Sequence, residues 1–282
     1  MKQKAFSTAR VLDVDKARGR VVVIAGYIQH QVEWPGALPV VGDVYKVKFS
    51  PVFEVLAKLA PGSGKIDLNG DAMRWRKPDA RGRTRMETLY KRHLIKRAVR
   101  DYLHQEGFIE IDMPLLVRGT TPDVHIESFA TGERYLTATT ELQLNRMEIG
   151  GFERLYTLTQ NFRAGDTGRY RNPEFTMLEW ARVGESYTAI EADIEQILFR
   201  SHLALGGSGT LTYQGHEIDI RPPFRRMSVR EAVETATGYA LADFSAASFK
   251  KALQAANVAL HQKDSEDPVF LFSMLMDHVQ QF

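Results

Sequence analysis

The stretch Leu155-Tyr156-Thr157-Leu158-Thr159-Gln160-Asn161-Phe162-Arg163, the loop Ala164-Gly165-Asp166-Thr167-Gly168-Arg169-Tyr170-Arg171-Asn172-Pro173 and the run Glu174-Phe175-Thr176-Met177-Leu178-Glu179-Trp180-Ala181-Arg182 decide how this chain reads. Two strand-like runs joined by a long Gly-containing loop predict an antiparallel pair. Alternation sets Phe175, Met177, Glu179 and Ala181 on one face and Thr176, Leu178 and Trp180 on the other, with Leu178 and Trp180 expected to face the core. The first face then offers an aromatic ring and a carboxylate, while Arg163, Arg169 and Arg171 crowd the loop. That grouping suits a nucleotide, because guanidinium pairs with phosphate oxygens, a ring stacks a base and a carboxylate holds an amine. A charged hairpin with merely solvated arginines is the alternative on this chemistry alone.

Upstream, Met86, Leu89, Tyr90, Leu94, Ala98, Val99, Tyr102 and Leu103 follow helical spacing and Gly107 stands where a left-handed cap belongs, so residues 86–106 are expected to be a helix. A strand at 108–111 follows, stopped before Pro114. Thr139 or Thr140 is expected to cap a helix running to Gly150-Gly151. Thr188-Ala189-Ile190-Glu191 and Ser228-Val229-Arg230-Glu231 read as capping boxes, Tyr213-Gln214-Gly215-His216 as a hairpin turn, and Asp267-Pro268 as a helix start. Residues 7–14, 20–28 and 42–49 carry strand patterns, which predicts a small β-barrel-like or sandwich domain over 1–72. Charge, Pro and Gly replace periodicity over 73–85, a basic linker. Eleven basic residues lie between Arg74 and Arg100, and with Trp75 they read equally as an RNA-binding stretch or as a solvated face. Ala60-Pro61-Gly62-Ser63-Gly64-Lys65-Ile66 falls short of a phosphate-binding loop, since Leu59 and Ile66 occupy the positions of its first Gly and its Ser or Thr.

The 282 residues hold 37 Lys+Arg against 35 Asp+Glu, and 44 % are hydrophobic, which excludes a disordered or fibrous chain. Apolar runs such as residues 21–28 are far shorter than the roughly 18–20 residues that span a bilayer, so no membrane partner is expected. The first residues lack the apolar region of a secretory signal, and with zero Cys a cytoplasmic location is expected. The histidines show no metal-ligand spacing, and no metal-binding residues are assigned.

Phe162-Arg163 and the run from Gly168 to Trp180 resemble motif 2 of class II aminoacyl-tRNA synthetases, and Asn172-Pro173-Glu174-Phe175-Thr176-Met177-Leu178-Glu179-Trp180 resembles the lysyl branch and its relative, the elongation factor P lysine ligase. Gly107-Phe108-Ile109-Glu110-Ile111-Asp112-Met113-Pro114-Leu115-Leu116 is similar to motif 1, the dimer-forming unit of that class. Asp123-Val124-His125 and Thr140-Glu141-Leu142-Gln143-Leu144-Asn145-Arg146 are similar to further segments of those ligases. The resemblance implies an α+β fold over 86–282, an antiparallel sheet flanked by helices, following an OB-like domain over 1–72. It implies a homodimer that activates lysine or a lysine-like amino acid with ATP and Mg²⁺, then transfers it to tRNA or a protein lysine. By that resemblance Arg163 is catalytic and holds the α-phosphate and the amino-acid carboxylate. Asp166, Arg171, Asn172 and Phe175 complete the ATP site, while Glu141, Arg163 and Glu179 bind the amino acid.

The pattern departs from the family at three places. Arg163 is followed by Ala164-Gly165-Asp166, not Asn-Glu, and Ala181 stands where lysyl enzymes have Tyr. Motif 3, with its Arg and the neighbouring Mg²⁺ carboxylates, has no counterpart in this sequence. The sequence therefore leaves open a fragment, a chain completed by another polypeptide, or a non-catalytic paralogue that binds tRNA or regulates a partner.

Overall fold

Alternating Val and Ile in the first sixty residues give extended segments with one apolar face. In the computed structural model, which describes residues 7–25, 28–49, 51–64, 75, 79, 82–260 and 267–279, they form β1 (Ser7–Asp15), β2 (Arg20–Ala25), β3 (Ile28–Glu33), β4 (Val44–Lys48) and β5 (Glu54–Ala60). The order is β3-β2-β1-β4-β5, antiparallel throughout. Val11, Val21, Val23 and Val47 are fully buried on one face, with Trp34, Tyr45, Phe49 and Phe53 packed against them. β3 and β5 are not paired with each other among the described residues, so the sheet is open where a barrel would close. The strand expected over 20–28 is divided: Ile28 begins β3 and pairs with Ala25, across residues 26–27, which lie outside the described residues.

Gly62 serves this sheet rather than a phosphate. Its N–H donates to Asp43 Oδ1 at 2.6 Å, and an added Cβ would lie 2.3 Å from the Asp43 nitrogen. Lys65 and Ile66 of the loop-like motif fall outside the described residues, as do 73, 74, 76–78, 80 and 81 of the linker.

Next come α1 (Arg85–Gln105), β6 (Ile109–Glu110), β7 (Leu116–Val117), β8 (Ala130–Thr131), β9 (Arg134–Leu136), α2 (Glu141–Ile149), β10 (Arg154–Phe162), β11 (Glu174–Arg182), α3 (Tyr187–Ala204), β12 (Thr210–Tyr213) and β13 (His216–Asp219). The Thr84 hydroxyl caps α1 by accepting from the Glu87 N–H at 3.1 Å, and Gly107 adopts φ +81° behind it, as expected. α3 begins two residues earlier than its expected capping box: Ser186 is the N-cap and Thr188 lies within the helix. Gln214 and Gly215, both at positive φ, turn the β12–β13 hairpin.

The central sheet has the order β11-β10-β6. β10 and β11 pair antiparallel from Arg154↔Arg182 to Phe162↔Glu174 without a register shift. One face packs Leu178 and Trp180 with Tyr102, Leu103, Phe108 and Tyr156, which bears out the expected core face. On the other, Leu155 and Ala181 meet Leu144, Met147 and Met113.

Beneath the first face lies a charge. Asp193 is 0 % exposed and accepts from Tyr102 OH at 2.5 Å, Trp180 Nε1 at 3.0 Å, and Arg182 Nε and Nη2, each at 2.7 Å. Burial alone would raise the Asp193 carboxyl; the Arg182, Tyr102 and Trp180 donors outweigh it and hold it below the usual carboxylate range.

The chain divides into two compact units, Met1–Pro222 and Pro223–Phe282. The second contains α4 (Val229–Thr237), α5 (Ala246–Ala255) and α6 (Pro268–Val279). Val233, Phe249, Ala252, Leu253, Leu271 and Leu275 form its core. The expected Ser228–Glu231 capping box is present, and the Asp267 carboxylate accepts from the Val269 N–H at 2.9 Å. No described helix is long and apolar enough to cross a membrane.

Asp193→Ala will leave the Arg182 guanidinium, whose side chain is 6 % exposed, without its main partner, at a cost of about 3–5 kcal/mol in urea unfolding at pH 7. An unchanged unfolding midpoint would remove Asp193 as the hub. Because the folded pKa lies below the unfolded value of about 3.9, the stabilisation is complete above that value and disappears as pH falls towards the folded one. Asp193→Asn will therefore flatten the loss of stability that the wild-type chain shows below about pH 4.

Candidate functional site

The face of the strand pair turned away from Asp193 carries the odd-numbered residues, and the predicted site residues sort along it. Arg163 leaves the end of β10 with its N–H donating to the Pro173 carbonyl at 2.9 Å. Its guanidinium lies 5.2 Å from the centroid of the Phe175 ring, and Nε donates to the Ala138 carbonyl at 3.3 Å. The structure therefore brings Arg163 and Phe175 together on one side of the sheet.

The loop is pinned at its root and open at its tip. The Ala164 N–H donates to the Glu127 carbonyl at 2.8 Å, and Gly165 follows at φ +77°. Asp166 accepts from Arg171 Nη1 at 3.3 Å, while Arg171, Asn172 and Tyr170 are exposed. The Arg169 guanidinium lies 5.2 Å from the Tyr170 ring. Asp166 and Arg171 thus pair with each other rather than with Arg163.

At the other end of the pair stands Glu179. Its carboxylate accepts from Thr139 Oγ1 at 2.5 Å, from the Thr140 N–H at 2.8 Å and from Thr140 Oγ1. Thr140 occupies the N-cap of α2 but makes no side-chain cap bond, because its hydroxyl is committed to Glu179; Thr139 Oγ1 instead accepts from the Glu141 N–H at 3.2 Å. The short segment 137–140 also takes the Phe162 N–H on the Thr137 carbonyl at 2.8 Å. One strap therefore fixes Arg163 through Ala138, the end of β10 through Thr137, and Glu179 through Thr139 and Thr140.

Glu179 opens on a cleft of about 370 Å³ that is also lined by Glu141, Leu144, Asn145, Glu148, Trp180, Ala181 and Ile190. Glu141, Asn145 and Glu148 share one face of α2 at helical spacing. Three carboxylates and no basic side chain line this space, which suits a ligand with ammonium groups. Glu148 joins the expected Glu141 and Glu179 in the cleft; its position seven residues after Glu141, two turns along the same helix face, is the sequence signal for it. The local sequence marks Thr139 and Thr140 as caps and carries no trace of their bonds to Glu179.

Among the described residues no group of three His, Cys, Asp or Glu could hold a metal ion. The donor set of these described residues does not fit an Mg²⁺ site. The basic run on α1 is largely engaged: Lys91 pairs with Glu87 at 2.8 Å, Arg97 with Asp101 at 3.5 Å and Arg100 with Glu110 at 2.8 Å, and Arg92 donates to Thr176.

Residues 71–279 match the family described as tRNA synthetases class II (D, K and N). A lysine–tRNA ligase of Thermosynechococcus vestitus is 36 % identical over 157 residues, which covers 54 % of this chain and 31 % of that protein. One from Chloroflexus aurantiacus is 34 % identical over 161 residues, 55 % of this chain and 33 % of that protein. A third, from Clostridium perfringens, is 32 % identical over 213 residues, 70 % of this chain and 42 % of that protein. The chain spans between 31 % and 42 % of the length of these curated relatives.

Thr140→Val keeps the shape but removes the hydroxyl bond to Glu179, and will cost roughly 1.5–3 kcal/mol in denaturant unfolding, as for a hydrogen bond to a charged group. Glu141→Gln, at an exposed position, will stay within about 0.5 kcal/mol of the unmodified chain. Equal midpoints for the two variants would show that the strap does not hold Glu179.

Proposed function

Since the chain belongs to the class II tRNA synthetases, we propose that it activates an amino acid with a cationic side chain, lysine or a lysine-like compound, at the expense of ATP. The observation that carries this reading is the division of charge along one strand face. A guanidinium and an aromatic ring stand at one end, and three carboxylates surround a cleft at the other. Glu141, Glu148 and Glu179 receive the ammonium groups. Phe175 stacks adenine, and Arg163 leaves the ring to neutralise the α-phosphate and orient the substrate carboxylate. A carboxylate oxygen forms its bond to the α-phosphorus as the bond to the bridging oxygen breaks, giving an aminoacyl adenylate and pyrophosphate. No nucleophilic side chain is needed, because positioning and charge neutralisation lower the barrier.

The names of the relatives support tRNA as acceptor; a protein lysine, as in elongation factor P, is the other acceptor of this chemistry. Ala181, in place of a hydroxyl-bearing Tyr, leaves the cleft wider and one bond poorer, which supports a lysine-like substrate as much as lysine. Exposed Leu89, Ile95 and Ile109 on α1 and β6 support a dimer through this region. We further propose that residues 1–72 are an OB-like module joined by the 73–85 linker to a catalytic region beginning at 86, and that the protein works in the cytoplasm.

ATP–pyrophosphate exchange on the full chain, in the presence of Mg²⁺ and lysine, tests the reaction. Exchange is expected with lysine or a close analogue, and Arg163→Ala will lower it by at least about 100-fold, as when an oxyanion-stabilising donor is removed. ATP binding without exchange for any cationic amino acid would favour the non-catalytic, tRNA-binding or regulatory paralogue. Absence of ATP binding would end both readings of the nucleotide site.

A further inference from the structure

Asn161 is 0 % exposed, and among the described residues neither its Oδ1 nor its Nδ2 has a hydrogen-bond partner. A carboxamide offers two donors and an acceptor with two lone pairs, and buried polar groups in folded proteins are nearly always bonded. A side chain left with none of its bonds in the interior needs a reason. Its place supplies one. On β10 it faces the odd-numbered side of the pair, with Phe175 as its direct partner across the strands and Arg163 two residues further along the same face. Directly opposed residues bring their Cβ atoms to about 4.5–5.5 Å, so the amide stands beside the ring on which Arg163 now rests.

We propose that Asn161 is a base-recognising residue: when the Arg163 guanidinium leaves Phe175 and a purine takes its place on the ring, the Asn161 carboxamide bonds the exposed edge of adenine. The proposal rests on the nucleotide reading of the Arg163–Phe175 pair. The chemistry selects adenine. An amide places an acceptor and a donor side by side, matching the N6 amino group and N7 of adenine, whereas guanine presents two acceptors along the same edge. Retaining an unmet amide destabilises the ligand-free protein, a cost that a ligand contact explains and a purely structural residue does not.

Full-length protein and its Asn161→Leu variant are compared by calorimetric titration with ATP and with GTP, and by thermal melting without nucleotide. Asn161→Ala serves as the second variant should leucine not be accommodated. The unmodified chain is expected to prefer ATP to GTP. The variants will lose about tenfold in ATP affinity and most of that preference, as on loss of one bidentate contact, while their ligand-free melting temperatures stay level or rise. Unchanged ATP affinity and preference in the variants would overturn the assignment. So would a ligand-free melting temperature lowered by several degrees with binding intact, which marks an amide satisfied by an internal water. If the unmodified chain binds neither nucleotide, the nucleotide reading falls and this inference with it, a result distinct from a variant that binds as the parent does.

Discussion

Everything in the site depends on the uninterrupted antiparallel register of β10 and β11. A strand has a side-chain period of two, so a slip of one residue would move Phe175 and Glu179 into the core and Leu178 and Trp180 out to the ligand side. The register is held from both faces. Below, Asp193 gathers Tyr102 from α1, Trp180 and Arg182 from β11, and thereby ties a helix, a strand and α3 to one carboxylate. Above, the strap 137–140 grips the end of β10 and the carboxylate of Glu179. Neither clamp tolerates the opposite alternation, because each acts on side chains of a single face.

The two clamps differ in what they leave over. Asp193 spends its lone pairs inside the protein and is sealed from solvent. Glu179 accepts from Thr139 and Thr140 yet still borders the cleft, where Ala181 and Ile190 give room beside it. β11 pairs with β10 on one side and with no other strand among the described residues, so the cleft lies along the free edge of the sheet. Carboxylates at an accessible edge can take up an ammonium group; a carboxylate saturated by Arg182 cannot.

Much of this was legible because it is periodic. Both long strands, α1 with its Gly107 cap, the Ser228 capping box and the β12–β13 turn follow from spacing and from residues whose backbone preferences are strong. Where the structure departs from the local pattern, a nearer or stronger partner decides. Thr188 has the look of an N-cap, but Ser186 lies just before the first helical residue and takes that role. Thr140 stands at the N-cap of α2 as expected, with Thr139 Oγ1 accepting from the Glu141 N–H, while the Thr140 hydroxyl finds a charged acceptor thirty-nine residues away on β11. The strand expected over 20–28 divides because Ile28 pairs back on Ala25, and the apolar run continues through the division without a change in pattern. The strap leaves no local signal for another reason: its significance lies in what the fold brings opposite it.

The position of Arg163 bears most directly on chemistry. A guanidinium over an aromatic ring gains about 0.5–2 kcal/mol, less when solvated, and its second contact, to the Ala138 carbonyl, is long at 3.3 Å. Phosphate offers two parallel charge-assisted bonds in place of these weaker contacts. On the proposed reading the ring and the phosphate compete for one side chain, and the phosphate contact is the stronger of the two. Glu179 and Phe175 lie four residues apart on β11, about 13 Å at strand rise, with Arg163 beyond the ring on the neighbouring strand. The order carboxylates, ring, guanidinium fixes the polarity of any ligand carrying an ammonium at one end and a nucleotide at the other. The reverse orientation would set phosphate against Glu141, Glu148 and Glu179 and leave Arg163 facing an ammonium group, so under the proposed reading the charge order along the strand pair alone would set the direction of such a ligand before any finer contact is made.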